Sequence, residues 1–84
     1  MAIEDIPLSD RLLLVMHNLG LVRHEAARTG NELAEFLQMD VKNVGEILDR
    51  HETYGFVRSY LDPGGAKKYY LTGIGIIKVC SSFT

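Results

Sequence analysis

Apolar residues recur at helical spacing near the beginning of the chain. In the segment "SDRLLLVMHNLG" the positions Leu12, Val15, Met16 and Leu19 follow the i, i+3, i+4, i+7 pattern of an amphipathic helix with one buried face. Ser9 precedes this pattern, and a serine side chain can accept a hydrogen bond from a free N–H group of the first helical turn. The pattern therefore predicts a first helix that Ser9 caps.

Two further helical patterns follow with a very short turn between them. The run "TGNE" is a capping box, in which Thr29 accepts from the backbone of Glu32 and the Glu32 carboxylate reaches back. Asp40 is expected to cap the next helix, which spans residues 40–54. The predicted inward positions are Leu33, Ala34, Leu37, Val44, Leu48 and His51, with Phe36, Val41 and Ile47 at the edges of these stripes. Two helices separated by so short a turn indicate a helix-turn-helix.

The period of the pattern changes after Gly55, where a helix end is expected. "FVRSYL" alternates between two faces and is rich in β-branched and aromatic residues, and "KYYLT" supplies a second strand. Between them Pro63 fixes φ, and Gly64 and Gly65 are expected to supply positive φ where the chain reverses. The sequence therefore predicts a β-hairpin with its loop at residues 61–68.

A last helix is predicted after Thr72, which is expected to cap it. Within "GIGIIKVCSS" the residues Ile74, Ile77 and Cys80 are expected to face inward. Each glycine in this segment costs roughly 1 kcal/mol in a helix relative to alanine, so the helix is expected to be short or frayed.

Composition indicates one globular domain over residues 1–84, with residues 1–8 as an N-terminal arm. Apolar residues make up 46% of the chain, and no apolar run reaches the roughly 20 residues that a membrane span needs. The first ten residues contain carboxylates and no basic residue, so neither a secretory signal nor a transit peptide is expected. The single cysteine fits a reducing compartment. We therefore expect a cytoplasmic protein with no membrane partner.

Residues suited to enzymatic or metal chemistry show no recognisable pattern. His17, His24, His51 and Cys80 match no compact zinc-binding spacing. No nucleophile has an evident base partner, and the stretch "GIG" lacks the third glycine of a nucleotide-binding fingerprint. His51 is expected to be a core histidine with satisfied ring nitrogens. The sequence predicts a protein that is not an enzyme and has no metal site and no cofactor.

The predicted elements follow the order helix, helix, helix, strand, loop, strand, helix, which makes an α+β domain. The framework residues are Glu32-Leu33-Ala34 with Leu37, Asp40, Asn43-Val44-Gly45-Glu46, Leu48, His51, Gly55-Phe56-Val57, Tyr70-Leu71-Thr72 and Gly75. With these residues the chain resembles the winged helix-turn-helix family, in particular small transcriptional regulators of the MarR, ArsR and PadR-like kind. The resemblance covers residues 9–80. It implies a three-helix core followed by a two-stranded β-hairpin wing and a short C-terminal helix.

The resemblance also implies a DNA-binding surface. The helix at 40–54 would enter the major groove of double-stranded DNA, and the wing at 61–68 would contact phosphates. Lysine pairs with guanine and asparagine with adenine, so Lys42 and Asn43 in the first turn are expected at base edges. The expected DNA-binding residues are Lys42, Asn43, Glu46, Arg50, Arg58, Lys67, Lys68 and Tyr69. Neighbouring strand residues face opposite ways, and we expect Tyr70 inward and Tyr69 exposed.

Charge favours this hypothesis in the hairpin and opposes it in the third helix. Residues 56–72 hold three cations and one carboxylate, whereas residues 40–55 hold two cations and four carboxylates, and the whole chain has a net charge of −2. Three phosphate contacts per subunit give a modest attraction. Useful affinity is therefore expected to need a homodimer.

Two other interpretations stay open. A winged-helix module that binds a protein partner in a larger assembly, without contacting DNA, is favoured by Gly45 and Glu46, which stand where the family often has serine and arginine. Lysines on an exposed hairpin also protect edge strands against aggregation. In the third interpretation Ile3, Ile6 and Leu8 pair between subunits and DNA binding is secondary.

Overall fold

The computed structural model describes the backbone of residues 7–83 and the side chains of residues 7–81. Most of the predicted N-terminal arm, including Ile3 and Ile6, therefore lies outside the described residues. The helices are α1 (Leu8–Asn18), α2 (Gly30–Leu37), α3 (Val41–Thr53) and α4 (Gly73–Phe83), with a single 3-10 turn at His24–Ala26. The strands are β1 (Arg28–Thr29), β2 (Val57–Leu61) and β3 (Lys67–Leu71). The predicted α+β order of elements is confirmed, with β1 added.

The strands form one antiparallel sheet in the order β1-β3-β2. The hairpin register pairs Val57 with Leu71, Ser59 with Tyr69 and Leu61 with Lys67. The short strand β1 adds a third strand beside β3. The predicted wing therefore has two strands as expected, and the sheet to which it belongs has three.

The helix-turn-helix prediction is confirmed in its local details. Thr29 accepts from the backbone of Glu32, and Glu32 accepts from the Thr29 backbone, which completes the capping box. Gln38 adopts a left-handed conformation with φ 54° and ends α2. The Asp40 side chain accepts from the backbone N–H of Lys42, so α3 begins directly after this turn.

The core lies between the helices and one face of the sheet. Its fully buried members include Leu12, Leu13, Met16, Leu33, Val44, Leu48, Val57 and Leu71. The first helix departs from its prediction, because Leu13 is buried whereas Leu19 is 42% exposed. The prediction that Ser9 caps this helix was also wrong, because Pro7 occupies the N-cap position. The Pro7 carbonyl accepts from the Arg11 N–H. The fixed φ of proline suits this entry to a helix.

Helix α4 presents a different face to the core from the one predicted. Ile74 and Ile77 are 59% and 66% exposed and Cys80 is also exposed, whereas Gly75 and Val79 are buried. Apolar residues occur on more than one side of α4, so periodicity alone could not choose the face. The choice follows from Gly75, whose missing side chain lets α4 approach β3 closely. The helix spans Gly73–Phe83, so the predicted C-terminal helix is present over its whole segment.

His51 is buried in the core, as predicted, but only one of its ring nitrogens is satisfied. Its Nε2 lies 2.9 Å from the Ser9 carbonyl oxygen, so Nε2–H donates and Nδ1 is unprotonated. Among the described residues Nδ1 has no partner. Burial lowers the pKa of His51, and it outweighs the hydrogen bond to Ser9 and the charge of Asp10, which act in the opposite direction.

Stability is therefore expected to fall as the pH drops below 6.5, the ordinary pKa of histidine. The unfolded chain then binds a proton at His51 that the folded chain excludes, whereas above this pH both states are neutral and the stability is fully present. Urea unfolding at a series of pH values measures the effect. The free energy of unfolding of the variant His51→Leu is expected to depend less on pH than that of the wild type between pH 6.5 and about 5, where carboxylates do not yet titrate strongly. An equally steep decline in the variant would contradict the assignment.

Candidate nucleic-acid interface

The outer side of α3 carries an exposed polar row. Lys42, Asn43, Glu46 and Arg50 are exposed, and the i, i+3 and i, i+4 spacings among them put them on one side of the helix. The opposite side of α3 is held in the core by residues including Val44 and Leu48. The helix is thus fixed by apolar packing while its first turns remain accessible to a partner.

The hairpin loop is organised around Asp62. Its Oδ1 accepts from the backbone N–H groups of Gly64 and Ala66, both at 2.9 Å. The hydrogen bond from Ala66, the hydrogen bond from Gly64 and the positive charge of Lys68 together lower the pKa of the Asp62 carboxyl. Gly65 has φ 87°, whereas Gly64 does not adopt positive φ as the sequence suggested. One carboxylate therefore shapes the turn that two glycines were expected to make.

The three hairpin cations do not share a face. Lys67 pairs in register with Leu61 and lies on the side of the sheet that faces α3. Arg58 and Lys68 lie on the opposite side, because adjacent residues of a strand point in opposite directions. The wing therefore presents two cations on its outer face and one toward α3.

Lys67 is held by the second half of α3. Its Nζ lies 3.8 Å from Glu52 Oε1, 3.9 Å from Asp49 Oδ1 and 5.3 Å from the centre of the Tyr69 ring. Partial desolvation by itself lowers the pKa of Lys67. The Tyr69 hydroxyl and the two carboxylates outweigh that effect, so the pKa lies above its ordinary value. Lys67 stays charged, and two carboxylates already neutralise much of its field.

The remaining cations differ in how far they are neutralised. Lys68 Nζ lies 3.6 Å from Asp62 Oδ2 in a partly exposed pair. Arg50 and Arg58 form no ion pair within 4 Å with any residue that the structure describes. Pairs this exposed contribute little to stability, and phosphates can compete more readily for Lys68, which faces one carboxylate, than for Lys67, which faces two.

The predicted orientation of the tyrosine pair is wrong. Tyr69 is 6% exposed and belongs to the core, whereas Tyr70 is half-buried on the other face. The alternation along β3 explains the result, because Leu71 is buried and Tyr69 lies two residues before it. An exposed Tyr69 that reaches a phosphate is therefore not available in this fold.

The other two tyrosines differ in their surroundings. Tyr54 is 64% exposed. Tyr60 stacks on the His24 ring at a centroid distance of 3.7 Å, and its hydroxyl donates to the His24 carbonyl oxygen. The Tyr60 contact fastens the 3-10 turn to the outer face of the hairpin.

Sequence reasoning missed the start of α2 as part of this surface. A groove of about 310 Å³ runs between α2, α3 and the hairpin. Its lining residues are Thr29, Gly30, Asn31, Val41, Gly45, Ala66, Lys67 and Tyr69. Asn31 is exposed and lies in the first turn of α2, two residues after the capping residue Thr29. The capping-box motif was the sequence signal that could have identified this position.

A metal site needs ligands that come together, and a membrane span needs a long apolar helix. Within residues 7–83 no three histidine, cysteine or acidic side chains come together where they could hold a metal ion. No helix in the same part of the chain has the length and apolar character needed to cross a bilayer.

Comparisons with solved structures identify the architecture. MepR, a transcription regulator of the Staphylococcus aureus multidrug efflux pump MepA, matches in its DNA complex with a TM-score of 0.73 and 24% sequence identity. The match covers 92% of this chain and 54% of the MepR chain. This chain has a winged-helix fold. It spans about half the length of the MepR chains that it matches.

The winged-helix fold also appears in a match to a protein of similar length. A candidate DNA-binding protein from Ralstonia eutropha JMP134 has a TM-score of 0.78 at 18% identity, covering 94% of this chain and 98% of its own. A candidate transcriptional regulator from Pseudomonas aeruginosa has a TM-score of 0.73 at 19% identity, and the match covers 87% of this chain and 52% of the regulator. No protein-family model and no curated protein matches the sequence. The likeness is therefore one of fold.

Proposed function

We propose that this winged-helix protein binds double-stranded DNA and acts in transcription regulation. The observation that carries the proposal is the exposed row on α3, made by Lys42, Asn43, Glu46 and Arg50, on a helix anchored in the core beside a cationic hairpin. A helix fixed in this way can enter a major groove without losing its packing. The fold likeness to MepR in its DNA complex supports the same use of the two elements.

Each residue of the interface has a separate role in the proposal. Lys42 and Asn43 contact base edges, since lysine pairs with guanine and asparagine with adenine. Arg50 reaches the phosphate backbone, and Glu46 accepts from cytosine N4. Arg58 and Lys68 hold the outer face of the wing on adjacent phosphates. Lys67 contributes less, because Asp49 and Glu52 lie within 4 Å of its ammonium group.

The salt dependence of duplex binding tests the proposal. The phosphate-contacting cations Arg50, Arg58 and Lys68 would give a slope of log K against log salt of about −2.7 per bound chain, at about 0.9 for each phosphate. Fluorescence anisotropy with a labelled mixed-sequence duplex, over a series of salt concentrations, measures this slope. Absence of binding at low salt, or a slope near zero, would overturn the proposal.

We also propose that the chain acts as a homodimer through α4. Ile74 and Ile77 lie on the exposed side of that helix at 59% and 66% exposure. Two such chains on one duplex would convert a modest attraction into useful affinity, because the second contact becomes intramolecular.

Ile77→Glu is expected to yield a monomer with unchanged helix content, because the side chain is exposed in a single chain. Sedimentation equilibrium and circular dichroism measure the two properties. Phe36→Glu is the matched control, since Phe36 is 57% exposed on α2. This substitution is expected to leave the dimer intact. A wild-type chain that stays monomeric at all accessible concentrations would contradict the homodimer.

A protein-binding module without DNA contact is the second candidate function. The acidic second half of α3 favours it, because Asp49 and Glu52 oppose phosphate and already engage Lys67. Exposed Phe36 on α2 and Leu61 at the hairpin, at 57% and 69%, would suit a protein surface. A failed duplex titration together with a partner that protects these two side chains would select this function.

A further inference from the structure

One carboxylate on α3 contacts both strands of the hairpin. Glu52 Oε2 accepts from the Ser59 hydroxyl of β2 at 2.6 Å, and Glu52 Oε1 lies 3.8 Å from Lys67 Nζ of β3. A hydroxyl bond to a carboxylate at this distance is short and charge-assisted. Ser59 and Lys67 belong to the same face of the hairpin, which is the face toward α3.

The contact of Glu52 with Lys67 lies farther toward the hairpin tip than Tyr69, which is in register with Ser59 and is the outermost buried residue of the hairpin. The base of the hairpin is fixed by the buried pair Val57 and Leu71. Leu61, at the tip end of β2, is 69% exposed, so burial does not fix that end. The contacts of Lys67 with Glu52 and Asp49 therefore supply the link between α3 and the part of the hairpin beyond Tyr69, and the Ser59 bond adds to the packing of Tyr69.

We propose that Glu52 is a positioning residue that holds the wing at a fixed distance from α3 and masks the charge of Lys67. The part that concerns DNA rests on the proposed function. Glu52 then limits attraction to phosphates of any sequence and favours duplexes whose grooves fit the fixed spacing of α3 and wing. Specificity is gained at the expense of non-specific affinity, since the latter depends on available cations.

Three substitutions separate the geometric role from the electrostatic one. Glu52→Gln keeps an oxygen that can accept from Ser59 and removes the charge that faces Lys67. Glu52→Ala removes both. Ser59→Ala breaks the hydrogen bond and leaves the carboxylate beside Lys67, so it tests the link without altering Glu52. Glu35→Gln, at an exposed carboxylate on α2, removes the same charge elsewhere and is the matched control.

Hydrogen exchange of the hairpin amides, measured on the full chain without DNA, tests the positioning role. In Glu52→Ala and Ser59→Ala the amides of residues 58–61 and 67–69 are expected to exchange about tenfold faster than in the wild type. Glu52→Gln and Glu35→Gln are expected to stay close to the wild type. Wild-type exchange rates in both alanine variants would overturn the proposal.

Duplex titrations over a salt series test the masking role. In Glu52→Gln the slope of log K against log salt is expected to steepen by up to about 0.9, because Lys67 then faces only the Asp49 carboxylate and becomes available to one more phosphate. Glu35→Gln is expected to leave the slope unchanged. An unchanged slope in Glu52→Gln, while the wild type binds DNA, would overturn the masking role. If the wild type binds no duplex, the proposed function fails, and the exchange rates alone uphold or overturn Glu52 as a positioning residue.

Discussion

Replacing Gly75 with alanine is expected to destabilise the fold by about 3 kcal/mol. A Cβ atom at this position would overlap the Phe56 carbonyl oxygen and would lie 2.7 Å from Leu71 Cδ1. The first neighbour is backbone and the second is fully buried, so neither can move aside easily. The helix propensity gained from alanine, roughly 1 kcal/mol, is smaller than this steric cost.

Gly73→Ala is the matched control on the same helix. Among the described residues, and apart from its chain neighbours and the backbone of its own helix, no atom lies within 4 Å of a Cβ added there, and Gly73 does not need positive φ. Its stability is expected to stay equal or to rise by up to about 1 kcal/mol. Urea unfolding followed by circular dichroism compares the two variants. Equal stability of Gly75→Ala and the wild type would show that α4 does not pack on β3 as closely as the structure has it.

The double variant Lys42→Ala/Asn43→Ala is expected to bind its DNA roughly 100-fold more weakly. Each base contact of this kind contributes about 1–3 kcal/mol of discrimination, so the loss of two reaches that range. Both side chains are exposed, and the substitutions are expected to leave stability nearly unchanged. The measurement is a titration against a duplex that the wild-type chain has selected from a random pool.

Lys78→Ala is the charge-matched control for this pair. It also removes one cation, but from α4 and not from the exposed row of α3. Its effect on affinity is expected to be less than about threefold, because phosphate attraction falls with distance in salt solution. Equal losses in Lys78→Ala and in the double variant would indicate that net charge, and not the first turn of α3, determines binding.

The helix-turn-helix could be predicted from sequence because its signals are local. The capping box of Thr29 and Glu32 and the cap by Asp40 each depend on residues within one helical turn, and both are present in the structure. Gly55, expected to end α3, follows its C-cap and has φ 83°. The two-stranded hairpin could also be placed, since alternation and turn residues lie next to each other in the chain.

The remaining features depend on contacts between distant parts of the chain. Strand β1 has two residues, too few to show alternation, and it exists because β3 is beside it. The inward face of α4 follows from the fit of Gly75 against the sheet, which the period of its isoleucines does not encode. The engagement of Lys67 by Glu52 joins residues on different elements, so counting charges along the hairpin overestimated the cations available to DNA.

Titration of the isotopically labelled chain with a duplex, followed by NMR, tests the central claim most directly. Direct contact with DNA through α3 and the wing is expected to shift the amide signals of residues 41–46 and 61–68 first, and more strongly at low salt. Signals from the exposed side of α4 are expected to move little. Unchanged α3 signals at low salt, or shifts concentrated on α4, would contradict the claim that this helix reads a duplex.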